Sequence, residues 1–113
     1  MEPSTFIVYY SVRGEIHMSV SANFRAWREG RRLIIENASV NALWVDSLTL
    51  RYLVSATTPT EESTRREIPD EVKLGRRIGA GEKIEVNLAL ENLKKVEIVY
   101  SREGKFFRED HEL

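Results

Sequence analysis

LIIENASVNALWVDSLTLRYLV, Leu33 to Val54, reads as two β-strands joined by a polar break. The first run spans Arg31 to Glu36. Asn37, Ala38, Ser39 and Asn41 interrupt it, and the second run, Ala42 to Val54, is the longest strand-like segment in the chain. In that run Leu48, Leu50, Tyr52 and Val54 alternate with Thr49, Arg51 and Leu53, close to the period-two pattern of a strand with one face in a core. Asn and Ser side chains satisfy turn backbone, so 37–41 predicts a corner. The acceptor sequon Asn37-Ala38-Ser39 inside it reads as turn chemistry rather than as a glycan site.

Moving outward, TFIVYYSV (Thr5 to Val12) is rich in β-branched and aromatic residues and predicts a strand. Arg13-Gly14-Glu15 predicts a tight turn. A second strand follows from Glu15 to about Arg28, with Ile16, Met18, Val20, Ala22 and Phe24 on one face. Trp27 is out of phase with that set, and a bulge near Arg25-Ala26 would return it to the core. Glu29-Gly30 turns the chain into the organising pair. After Val54, residues 55–70 carry two prolines, many hydroxyls and many charges, and predict a long exposed loop with at most an edge strand near Arg65 to Ile68. Glu71 to Ile78 is a weak strand, Gly79-Ala80-Gly81 a turn, and Lys83 to Leu90 a clean amphipathic strand. Val96, Ile98 and Tyr100 line the next one, Arg102 to Lys105 turns it, and Phe106 to Glu109 begins a short last strand. The tail 109–113 is expected to fray.

The pattern predicts an all-β fold: one domain over 1–113, an antiparallel sandwich of about seven to nine strands, with a small β-barrel as the alternative. Three pieces together resemble immunoglobulin-like modules of the fibronectin type III kind: Leu33 to Asn37 followed by Trp44-Val45-Asp46; Ile78 to Gly81 leading into Ile84-Glu85-Val86; and Val96 to Tyr100 with Gly104-Lys105. The immunoglobulin cysteines are missing. The resemblance implies binding or scaffolding.

Composition narrows the chemistry. The 113 residues carry 17 basic and 18 acidic side chains, a net charge of −1, so no overall field draws in nucleic acid or an anionic membrane. With no cysteine there is neither a disulfide nor a thiolate. Absence of glutamine beside abundant Glu, Lys and Arg suits a thermophile. No apolar run is long enough to span a membrane and the start does not read as a signal peptide, so the cytoplasm is expected.

Few residues invite a site. His17 and His111 are the only histidines, both expected in solvent. Asp46, beside Trp44, Val45 and Leu48, is expected to hold a turn or bulge. Gly75 to Lys83 lacks the order of a phosphate loop. No cofactor, metal or small-molecule substrate is expected, and no enzyme. Trp27 and Trp44 read as core pillars. The sharpest candidates for contact are Arg25, Trp27, Arg28, Arg31 and Arg32, where arginine and an aromatic ring could grip phosphate and stack bases. The expected function is a protein–protein interaction or scaffolding module, self-associating as a dimer through a sheet edge. The alternative is nucleic-acid binding through the hairpin 24–32.

Overall fold

The computed structural model describes the backbone of residues 5–10, 16–19, 22–57 and 63–113, and the side chains of 22–55 and 65–113. Among the described residues, nine strands run in order: β1 Thr5–Tyr10, β2 Ile16–Ser19, β3 Phe24–Glu29, β4 Arg32–Asn37, β5 Leu43–Thr57, β6 Ser63–Ile78, β7 Lys83–Asn87, β8 Leu93–Arg102 and β9 Lys105–Glu112. They form two antiparallel sheets, one ordered β2-β1-β9-β8-β5-β6 and the other β3-β4-β7. Neither sheet closes, so the barrel alternative does not hold. The turn expected at Arg13-Gly14-Glu15 lies outside the described residues, as does the side-chain phase of Glu15 to Val20.

Between the sheets lies one core. Leu33 and Ile35 of β4, Ile84 and Val86 of β7, Leu48, Leu50 and Tyr52 of β5, and Val96, Ile98 and Tyr100 of β8 are all buried. Their alternation with exposed neighbours is what the period-two pattern dictates. Tyr100 meets Phe24 edge-on at 5.1 Å and stacks on Phe107 at 5.4 Å, joining the two sheets through three rings.

Four expectations need correcting. The stretch 55–70 is not a loop: β5 and β6 stay paired from Leu43↔Ile78 out to Thr57↔Ser63, leaving only 58–62 between them. Hydroxyl-rich, β-branched residues propagate a two-stranded ladder once its register is set, and Pro69 is accommodated because β6 is an edge strand. The tail is not frayed: β9 pairs β8 through Lys95↔Glu112, and Glu109 and His111 are buried. The run 15–28 is not one strand: β2 ends at Ser19, and β3 starts at Phe24 in the other sheet. Finally, β3 has no bulge. Its pairing with β4 is continuous from Phe24↔Asn37 to Glu29↔Arg32, so odd-numbered Trp27 faces outward.

The corner at 37–41 holds as expected. Asn37 is fully buried, its amide donating to the Asn41 and Ile78 carbonyls and its oxygen accepting from the Ser39 backbone and hydroxyl. No helix is long and apolar enough to cross a membrane among the described residues.

Candidate binding site

The basic hairpin does not form one patch. On β3 and β4, alternation sends Arg25, Trp27 and Glu29, with Arg32, Ile34 and Glu36, to the outer face of the small sheet. There Arg32 pairs with Glu85 at 3.1 Å, Arg25 lies 3.9 Å from Glu36, and Lys83 sits over the Trp27 ring. The Trp27 indole N–H donates to Glu29. Arg28 turns the other way and donates to the Gly30 and Glu91 carbonyls. Arg31 stands exposed beside the Gly30 turn. Each cation on that outer face therefore has an acidic or aromatic neighbour, and the five candidates do not converge.

Buried carboxylates are also tied down. Glu109 of β9 is fully buried and accepts the backbone N–H groups of Asn23 and Phe24, at 3.0 and 2.9 Å, across the gap between sheets. His111 approaches the same carboxylate at 2.7 Å. Beside this pin, the Tyr100 hydroxyl accepts from Asn23 and its pKa is pushed up to about 12, chiefly by burial. On the outer face of the large sheet Glu97 of β8 stands opposite Asp110 of β9. Arg51 of β5 binds Glu97 through two nitrogens, at 2.9 and 3.2 Å. Burial would raise the Glu97 pKa, but the Arg51 hydrogen bond and charge outweigh it and hold it below the ordinary value. Asp110 is shifted up, first by burial and then by Glu97, against the pull of Arg108. Both carboxylates face cations rather than a pocket.

The unspent chemistry gathers at the other end of β5. Register there shifts between Val45 and Ser47 against both neighbours. Before the shift Leu43 and Val45 are buried, and after it Leu48, Leu50 and Tyr52 are. The bulge at Asp46 thus flips the phase of the strand and turns Trp44 outward, 45% exposed. Across this break β6 carries one extra residue, and Gly75 takes a φ of +54 that side chains disfavour. The Trp44 indole N–H donates to Asp46 at 3.1 Å, which fixes the ring and leaves its face free.

A row of partners crosses four strands here: Arg77 of β6, Trp44 of β5, Ser101 of β8 and Phe106 of β9. Phe106 is 57% exposed because its neighbour Phe107 occupies the core side. Beside Trp44 opens a cleft of about 440 Å3, lined by Asn41, Arg77, Ser101, Arg102 and Glu103 among others. The two-residue turn Glu103-Gly104, with φ of +52 and +75, sets one wall. The turn or bulge expected at Asp46 is there, but sequence reasoning did not draw its consequence for the strand's phase, placed Trp44 in the core and so missed this site. The phase change from Leu43 and Val45 to Leu48 was the available signal. Comparison with protein-family models, with curated proteins and with solved structures found no match.

Proposed function

We propose that this chain is a non-enzymatic, immunoglobulin-like interaction module that pairs with a second copy of itself through an open edge of β5. The strand order supports the fold type. With β3, β4 and β7 taken as strands A, B and E of such modules, β5, β8 and β9 fall in the places of C, F and G, β6 lies beside C as C′, and the β1–β2 hairpin extends the sheet beyond G. The engagement of Glu97, Glu109 and Asp110 by structural partners supports binding rather than turnover.

One observation carries the association. β8 accompanies β5 only as far as Tyr52↔Leu93, and the Leu53 N–H still reaches the Asn92 carbonyl at 2.8 Å. Beyond that, β5 has β6 on one side and no strand on the other among the described residues. Alternation points the Ser55 N–H the same way as that of Leu53, toward the open side. The opposite flank of the hairpin is guarded: β6 carries Pro69, the Gly75 kink and exposed Arg65, Arg66, Glu71 and Lys73. Along this hairpin, strand addition therefore favours the edge Leu53 to Thr57, and a two-fold axis near Ser55 would pair it with itself.

Light scattering after size exclusion tests this. The chain is expected to run as a dimer, and Ser55→Pro, which removes a donor pointing away from β6, is expected to run as a monomer with its melting temperature little changed. A wild-type monomer at high concentration, or a dimer that survives Ser55→Pro, overturns the proposal.

A further inference from the structure

We propose that the cleft beside Trp44 is a carbohydrate-binding site that takes an uncharged oligosaccharide along the Trp44–Ser101–Phe106 row. It lies at the opposite end of β5 from the open edge and does not depend on self-association. Three features point to a sugar. First, the Trp44 ring is exposed, and its one polar group is consumed by Asp46. What remains is a flat apolar face held in a fixed orientation, the surface on which the C–H face of a pyranose ring stacks. Second, the cleft mixes donors and acceptors. Arg77 and Arg102 donate, Glu103 accepts, and Asn41 and Ser101 do both; none of these side chains has a hydrogen-bonding partner among the described residues. Sugar hydroxyls donate and accept from one atom, so they answer such a lining, whereas a phosphodiester offers acceptors alone and would leave the Glu103 carboxylate unanswered.

Third, the row supplies a second ring. Trp44 and Phe106 flank Ser101 on adjacent strands, each pointing away from the core. Two strand spacings set their backbones roughly 10 Å apart. The small Ser101 leaves the floor between them open, so a chain can lie across with one ring under each end of a short saccharide. The Asp46 and Gly75 irregularities lie one step along the sheet and fix where Trp44 and Arg77 emerge, a common setting for bulges beside binding sites.

Calorimetry and tryptophan emission with cellohexaose, maltohexaose and chitohexaose test the inference, with decathymidylate and heparin as comparators. At least one hexasaccharide is expected to bind and shift the emission, while the comparators do not. Trp44→Ala should weaken that binding at least tenfold and Trp44→Phe less, whereas Trp27→Phe should leave it intact. Arg77→Ala should cost several-fold. Phe106→Ala should weaken the hexasaccharide but not the disaccharide of the same linkage. Absence of binding by all three sugars at millimolar concentration, decathymidylate or heparin binding in their place, or sugar binding that survives Trp44→Ala, overturns it.

Discussion

Glu97 and Asp110 show how neighbours of the same chemistry can carry opposite roles. They face each other across β8 and β9, and only Glu97 receives the double hydrogen bond of Arg51. The folded state lowers the Glu97 pKa, so the stabilisation it gives is present above the ordinary carboxylate value and is lost as pH falls through the folded one. Asp110 is raised, so its ionised form opposes folding and its protonation relieves the strain as pH falls. Glu97→Gln is therefore expected to lower the melting temperature at pH 7 and to flatten the acid limb of the stability curve. Asp110→Asn is expected to be neutral or stabilising at pH 7. Thermal melts of both variants at pH 7 and pH 4 check this, and equal losses at pH 7 would refute the assignment. At this scale the sequence was partly legible. Asn37 announced its corner, because an amide before Ser fills turn hydrogen bonds locally. Glu109 and His111 did not announce their burial, because it depends on Asn23 and Phe24, which lie far away in the chain.

At the scale of the element, β6 illustrates the management of a long edge. Sixteen residues without a second neighbour among the described residues would template aggregation, and proline, charge and a kink interrupt them. Gly75 is the residue the kink requires. Its φ of +54 is one that glycine adopts freely and residues with a Cβ adopt only at a cost, and a Cβ there would meet no atom within 4 Å. Gly75→Ala is thus expected to cost about 1–2 kcal/mol from backbone strain without any clash, measured by urea unfolding. β7, which alternates without interruption, and the Val96 to Tyr100 run of β8 were readable from sequence. The long hairpin was not, since composition described its solvent exposure and exposure alone does not separate an edge strand from a loop. The two tryptophans failed for related reasons: a bulge was expected in β3 where none exists, and one was not carried through β5 where it reverses the face of Trp44.

At the scale of the molecule, the two sheets are joined by apolar packing and by a few polar pins. Glu109 reaches the start of β3, the Tyr52 hydroxyl accepts from Ala89 at 3.2 Å, and Asn37 reaches Ile78. Glu109 is the strongest of these, a carboxylate with two backbone donors in a dry setting. Glu109→Ala would orphan both donors and is expected to cost about 3 kcal/mol or more. Amide exchange should show β3 losing protection before β8 does. A uniform loss across both sheets would show instead that the pin serves the core as a whole.

The length of β5 has a further consequence. Trp44 and Ser55 stand near opposite ends of the same 15-residue strand. Two copies joined edge to edge at Ser55 would hold their clefts up to about 70 Å apart, from the rise of an extended strand. A polysaccharide repeats the same unit along its length, so one polymer could occupy both clefts at once. The second engagement would then draw on a local ligand concentration set by the tether, and avidity for long chains would exceed the affinity of either cleft for a short one.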